Sequence, residues 1–421
     1  MTHQADQASP RKRRVLMLTH RLPYPPDRGD RIRSYHMLRT LCEHFDMAIA
    51  CTSDEPVWLQ HHQLLSTMAQ RVAIMPIGPR WSRWRGLRAL AMGRAITPSC
   101  YFRLGLGQQI LQWHEQAPFD AVLTFCTGMI EYARLLTSPR NGVPAQLPTP
   151  RHVIDLVDVD SVKWRQYARG TWVPMRWVFQ AEARRLSQIE AGRHDRFDAV
   201  TVTTHAEAEV YRNSVGGDIQ PHVVTNGVDL EYFEVQPDAH SKTIVFVGVL
   251  DYRPNVDGIT WFVEKVMPRM RQAEPEAQLV IVGRHPIRRV HDLAARPGVE
   301  VVGSVPDVRY YLARAAAVIA PLRIARGVQN KVLEAMASQR VVVCSPAAAC
   351  GIDATDGEHL IVADQPQQWV EHIQRIFTDD AWRTRLASSA RQLVEQRYNW
   401  SSCLQPMIEL LNADHERKHA A

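Results

Sequence analysis

The sequence predicts an α/β chain of two domains, each built on a parallel sheet, and three observations carry that prediction. Its 421 residues exceed what one ordinary hydrophobic core fills. Short β-branched runs alternate with longer amphipathic stretches, as in stacked βαβ units. The rhythm then breaks off in an irregular stretch, Asn226–Lys242, and restarts in the second half.

In the first half the expected strands are Val15–Thr19, Met47–Thr52, Val72–Ile77, Ala121–Phe125, His152–Val157, Ala199–Thr203 and His222–Thr225. Several are continuous apolar runs, as strands covered on both faces should be. Helical patterns lie between most of them, for example Ile32–His44 and Ala206–Arg212, and Ser138–Pro150 reads as a surface loop. In the second half strands are expected at Thr243–Val247, Gln278–Val282, Val299–Val302, Ala317–Ala320, Val341–Cys344 and Leu360–Val362. Helices are expected at Val256–Arg271, Val308–Arg314, Asn330–Ser338, Trp369–Phe377 and Ala381–Glu395, with a last helix, Ser402–His415, after RYNWS. This gives a Rossmann-like domain over 1–230, a second over 231–396, and a terminal segment, 397–421, packing back toward the first. In such sheets ligands sit beyond the carboxyl ends of the strands, so a cleft between facing domains is the expected active site.

A composition of 45% hydrophobic and 22% charged residues is that of a globular protein and excludes disorder. No stretch approaches the roughly 20 apolar residues of a spanning helix. The basic N-terminus, MTHQADQASPRKRR, precedes an apolar run too short for a signal peptide and reads as a tail leading into a first buried strand. Seven cysteines without a CxxC pair indicate neither a disulfide framework nor a zinc site, which points to the cytoplasm. The net charge of +6 is modest, and no reading motif for nucleic acid is present. The excess is local. Arg80–Arg94 holds five arginines, two tryptophans and no acid, and Lys163–Arg196 interleaves Trp164, Trp172 and Trp177 with acids and bases. Trp81, Trp84, Leu87, Leu90 and Ala91 fall close to one helical stripe, with Arg83, Arg85 and Arg94 largely off it. That pattern suits a helix lying in an anionic membrane interface, or one packed on the sheet with its arginines in water. Gly86 and Gly93 weaken the helix.

Two loops carry chemistry. In His20–Ser34 prolines shape the chain, Gly29 permits a positive φ, and Asp30 is an N-cap for a helix starting at Arg31. Such a helix N-terminus can hold an anion, although an ordinary strand–loop–helix connection explains it equally. In Ala320–Ser345 a strand ends at Pro321, a loop with Gly327 follows, and a helix then carries Lys331 and Glu334. A lysine in a first helical turn opposes the helix dipole, and a bound diphosphate would remove that penalty. Glu334 lies on the same face and can accept from a ribose diol, although Lys–Glu pairs at this spacing also occur on solvated faces.

The LEAMA segment with its upstream glycine, the TNGVD of Thr225–Asp229 and the RYNW before the last helix together resemble the retaining GT-B glycosyltransferases of family 4. More narrowly, PPDRGDRIRSYH, IDLVDVDSVKW and GVQNKVLEAMA are similar to a bacterial subgroup accompanying exopolysaccharide synthesis and PEP-CTERM protein sorting. The resemblance implies a nucleotide-sugar donor bound by the second domain and a glycan or lipid-linked acceptor held mainly by the first. It implies transfer with retention and without a metal or other cofactor. It places Arg253 and Lys331 on the diphosphate, Glu334 on the ribose, the loop Gly327, Val328 and Gln329 over phosphates and sugar, and Val302 and Gly303 near the base. Without a metal, the departing diphosphate has to be stabilised by charge and helix N-termini.

The chain departs from that pattern twice. Arg326 stands where the family often has the first Glu of E-x7-E, and Val157–Asp158 stands where it often has His–Asp. Asp158 and Asp155 remain as carboxylates able to orient an acceptor hydroxyl, and Asp158 or Asp160 equally suits a helix cap. His285, after a strand, is a further candidate near the nucleotide. Two other functions fit these residues: a nucleotide-sugar epimerase of the same fold, and a non-catalytic nucleotide-sugar-binding partner of a synthesis complex.

Overall fold

The computed structural model describes residues 11–137, 147–169, 171–193, 197–216, 219–235, 241–325 and 327–413. The chain divides into two compact units, Met1–Val224 with Leu404–Ala421, and Thr225–Cys403. Most of the expected Ser138–Pro150 loop, together with Arg326, lies outside the described residues.

The first unit begins β1 (Arg14–Thr19), α1 (Gly29–His44), β2 (Asp46–Ser53), α2 (Leu59–Met68) and β3 (Arg71–Pro76). It continues α3 (Pro79–Ala91), α4 (Ile96–Tyr101), α5 (Leu104–Gln116), β4 (Ala121–Phe125) and α6 (Ile130–Thr137). Then come β5 (Arg151–Val157), α7 (Asp160–Arg169), α8 (Val173–Glu190), β6 (Ala199–Val202), α9 (His205–Ser214) and β7 (Pro221–Val223). All strands are parallel, in the order β3-β2-β1-β4-β5-β6-β7. Val15 to Leu18 of β1 are fully buried, as a strand covered by helices on both faces should be. Thr204 caps α9 by accepting from the Glu207 amide at 3.1 Å.

The second unit runs β8 (Thr243–Val247), α10 (Arg253–Lys265), α11 (Met267–Ala273), β9 (Gln278–Val282), α12 (Arg288–His291) and β10 (Val299–Gly303). It goes on through α13 (Arg309–Ala313), β11 (Ala317–Ala320), α14 (Asn330–Ala337), β12 (Val341–Cys344) and α15 (Pro346–Ala349). It ends with β13 (Ile361–Val362), α16 (Pro366–Thr378), α17 (Asp380–Arg397) and the start of α18 (Trp400–Asn412). Its sheet is also parallel, in the order β10-β9-β8-β11-β12-β13. Both units are thus Rossmann-like, with the strand order reversing beside β1 and β8. Those two switch points are where such sheets leave a crevice for ligands.

Several boundaries move from their expected places, each for a local reason. The expected helix Val256–Arg271 is two, α10 and α11, because Pro268 cannot donate to the ladder. The division expected near residue 230 falls at Val224, since the TNGVD segment is built into the second unit. Val228 bridges Asn399, and Gly227 lies against the Trp400 backbone. From Leu404 onward α18 belongs to the first unit, where Arg13 and Arg151 donate to its last carbonyls. Cations at that end also suit the helix dipole. Among the described residues no helix is long and apolar enough to cross a membrane.

Candidate functional site

In the second unit the switch point brings two loops together: Gly248–Tyr252 after β8, and the segment after β11 that leads into α14. Asn255, in the first turn of α10, is buried and anchors both. Its amide nitrogen donates to the Val249 carbonyl at 2.9 Å, and its amide oxygen accepts from the Lys331 ammonium at 2.5 Å. The same ammonium lies 5.1 Å from the centre of the Phe246 ring, a cation–π contact. A Cβ at Gly248 would stand 2.9 Å from the Asn255 amide and 3.2 Å from the Lys331 nitrogen, so any larger residue there would push on both side chains. At the end of β9, a Cβ on Gly283 would fall 1.6 Å from the Gly248 carbonyl oxygen, so the two backbones touch.

Lys331 is the second residue of α14, where free amides and the helix dipole add positive potential to the ammonium. Burial lowers the Lys331 pKa to about 8, against the opposing pull of Glu334. Burial raises Glu334 to about 7, and Lys331 restrains that rise. Each group is short of the counter-charge or water its ionised form prefers. Gly327 takes a left-handed φ of 62°, which turns the loop into the helix, and Gln329 is the residue preceding its first turn. Asn330 accepts from Asn226 of the TNGVD segment at 3.1 Å, which ties a third loop to the α14 N-terminus.

Of the expected donor residues, Gly327, Val328, Gln329, Lys331 and Glu334 therefore share this loop and helix start. Val302 and Gly303 end β10, where Gly303 has φ 80° and the register on β9 shifts. Arg253 opens α10 with its side chain 88% exposed and pairs with Asp257 at 3.4 Å. The side chain that reaches Lys331 from α10 is instead Asn255, which the sequence reading passed over; its one signal is an Asn in the first turn of a helix that follows a glycine loop. His285 is exposed with φ 55° in the loop after β9.

In the first unit three expectations are corrected. Gly29 is the first residue of α1 and not a positive-φ turn, so its backbone permissiveness is unused. Asp30 lies inside the first turn rather than capping it. It accepts from Arg21 at 2.6 Å and lies 3.6 Å from His20. Burial opposes its charge, but His20 and Arg21 outweigh that and hold the carboxyl far below its ordinary range. Asp155 cannot meet an acceptor: it is fully buried, gripped by Arg33 at 2.8 and 2.9 Å and by Thr201 at 2.7 Å.

Asp158 remains partly open. Val157, before it, has φ 64°, and the Asp158 amide donates to the Leu156 carbonyl at 2.7 Å, closing a three-residue turn. A β-branched residue in that conformation is strained, and such strain collects at functional loops. Lys163 stands 3.3 Å from Asp158 and 3.5 Å from Asp160. Burial works against its charge, but the two aspartates outweigh it and hold the ammonium protonated. Neither aspartate caps α7; the Ser161 amide is taken by Glu190 at 2.9 Å. Among the described residues no group of three or more His, Cys, Asp or Glu side chains could hold a metal ion.

Residues 241–379 match the family described as glycosyl transferases group 1, over a region that includes Arg253, Asn255, Lys331 and Glu334. An uncharacterized 44.6 kDa protein of the cps region of Klebsiella pneumoniae is 22% identical over 170 residues, 38% of this chain and 44% of that protein. Among solved structures, sucrose-phosphate synthase from Thermosynechococcus elongatus superimposes with a TM-score of 0.67 at 18% identity, covering 94% of this chain and 98% of that one. HepE from Anabaena, solved with UDP-glucose, gives 0.64 at 14% identity, covering 94% and 99%. TarM from S. aureus, in a complex that contains UDP, gives 0.64 at 11% identity, covering 95% and 100%. The family match over the second unit and the fold shared with these structures together support a glycosyltransferase of GT-B type.

Proposed function

We propose that the chain is a retaining glycosyltransferase of family 4 that moves a sugar from a nucleoside-diphosphate sugar to a growing, lipid-linked exopolysaccharide acceptor at the inner face of the cytoplasmic membrane. The observation that carries the donor half is the Lys331 ammonium, desolvated at the N-terminus of α14 and held by Asn255. A diphosphate is the ligand that relieves such a site, since it supplies the missing negative charge and accepts from the free amides. As the glycosidic bond to the donor breaks, charge develops on the leaving diphosphate, and in this reading Lys331 and the loop 327–329 meet it without a metal, with Arg253 adding its charge from the solvent side. Glu334 takes the ribose hydroxyls, and Val302 and Gly303 take the base. Asp158, on its strained turn, orients the acceptor hydroxyl. HepE is described with UDP-glucose and the Klebsiella relative with a cps region, which favours this donor class and a polysaccharide product. The subgroup motifs favour a role beside PEP-CTERM sorting, and in this reading Arg80–Arg94 serves as the membrane contact.

Thermal shift against a panel of nucleotide-sugars tests the donor half; a ligand at 100 times its Kd adds about 2.7 kcal/mol. Turnover is then followed with and without a lipid-linked glycan, and the anomeric configuration of the product read by NMR. Isomerisation of the donor without an acceptor would make the chain an epimerase, and binding without any turnover would make it a non-catalytic partner.

A further inference from the structure

Helix α3 sits on the first unit by its small residues. Ser82 exchanges contacts with Cys100, Ala89 is buried, and a Cβ on Gly86 would stand 3.1 Å from Ile96 and 3.2 Å from Cys100. Gly86, a weakness by helix propensity, is therefore where α4 approaches α3. The stripe of large residues faces away from that contact, with Trp81 73% and Trp84 71% exposed and Leu87 and Met92 beside them. Arg83, Arg88 and Arg94 are exposed among and beside them.

The turn from α7 into α8 repeats this chemistry. Trp172 is 69% and Trp177 68% exposed, with Val173 and Tyr167 also in water and Arg169 and Arg176 between them. One helix supports both patches. Further along α8, the buried Glu182 accepts from the Ile96 and Thr97 amides at 2.7 and 2.8 Å, and Arg185 donates to the Arg94 carbonyl at 3.0 Å. Eight residues separate Trp177 from Arg185, about 12 Å of helix. Together, segments 80–94 and 167–177 hold seven arginines and no acid, against a net charge of +6 for the whole chain. The remainder is thus close to neutral, and the excess charge is concentrated in the two segments that hold Trp81, Trp84, Trp172 and Trp177.

We propose that α3 and the α7–α8 turn form one docking surface for an anionic lipid bilayer, the tryptophans and aliphatic side chains entering the interface and the arginines meeting the headgroups. This deepens the membrane contact proposed above and rests on it. Single-stranded nucleic acid would share the arginines and stack on the tryptophans, but it gives no partner to Leu87, Met92 and Val173. An interface of acyl chains and phosphates takes all three kinds of side chain.

Co-sedimentation of the full chain with vesicles tests the proposal. Wild type is expected to pellet with phosphatidylcholine–phosphatidylglycerol vesicles, not with phosphatidylcholine alone, with tryptophan emission shifting to the blue. Arg83→Gln with Arg88→Gln is expected to weaken partitioning about thirtyfold. Trp172→Ala with Trp177→Ala, far from α3 in sequence, is expected to weaken it as well, and the four changes together to abolish it. Wild type left in the supernatant, equal pelleting of the Trp172/Trp177 variant, or a lipid-free dimer that these variants dissociate would each overturn the surface. UDP-glucose binding by thermal shift is measured on the same samples. Nucleotide binding without vesicle binding refutes the docking surface alone, and vesicle binding without nucleotide binding refutes the donor site alone.

Discussion

The Lys331 ammonium lies 2.5 Å from the Asn255 amide oxygen, so a residue of α10 fixes the cation that α14 presents. Replacing Lys331 with Ala is expected to cut turnover about 10²–10³-fold, the usual loss when one stabilising donor is removed from a dry site. Asn255→Ala leaves the cation but frees it, so kcat should fall while the fold stays intact by circular dichroism. Arg253→Ala should cost only about fivefold, because a charge in water contributes ~1 kcal/mol. Steady-state rates rank the three, and a Lys331→Ala rate within threefold of wild type would remove it from the site.

Donor affinity should peak between about pH 7 and pH 8. Lys331 is held down to about 8 by burial, so above that pH it must gain a proton to meet the diphosphate, and affinity falls. Glu334 is pushed up to about 7 by burial, so below that pH it is protonated and accepts poorly from the ribose. Calorimetric titration across this range should show both limbs. Glu334→Gln should flatten only the acid one, and a wild-type profile that is level from pH 6 to 9 would contradict the assignment.

Chelation is expected to leave transfer unchanged, since the proposed site meets the diphosphate with Lys331 and helix amides. Activity lost in excess EDTA and restored by Mg²⁺ or Mn²⁺ would overturn the metal-free mechanism.

Glu190 is fully buried, and burial first, then Asp160, pushes its carboxyl up to about 8 despite the hydrogen bonds from Ser161. The folded state therefore prefers the protonated form. That contribution is complete below the unfolded pKa near 4.3 and is lost as the pH rises through about 8. Glu190→Gln keeps the shape without the charge. Its melting temperature relative to wild type should rise between about pH 5 and pH 8, and a constant difference would mean that Glu190 does not titrate in this window.

Gly283→Ala should destabilise the second unit by about 3 kcal/mol, because its Cβ would meet the Gly248 carbonyl and one backbone must move. Denaturant melts give the loss directly. Because Gly248 borders Lys331, donor affinity should fall in the same variant.

The strands were legible because a buried parallel strand is a continuous apolar run, and those of β4, β8, β9, β11 and β12 fall where expected to the residue. The helix over 80–94 was legible too, but not its orientation. A stripe of Trp and Leu reads equally as core or as exposed surface, and the contacts of Ser82 and Gly86 with α4 decide between them. Lys331, Gly327 and Glu334 stood out as a glycine loop feeding a helix. Asn255 did not, because an Asn in a first turn is ordinary and its partner is 76 residues away. Val157 was illegible for the opposite reason: a β-branched residue argues against the left-handed turn it adopts. Asp155 looked available because sequence does not show that Arg33 reaches it from 122 residues away.

The crossing of α18 sets an order on how this molecule can be made. Its residues from Leu404 onward complete the first unit, yet they follow all of the second in the chain. Leu404, Met407 and Leu411, each fully buried, leave the ribosome after the whole second unit, as do the carbonyls that Arg13 and Arg151 bind. During synthesis, therefore, the N-terminal unit waits without the residues of α18 that pack on it while the 179 residues of Thr225–Cys403 fold. A stalled chain or an early stop codon in α18 would leave both sheets complete and the first unit without the helix that packs on it.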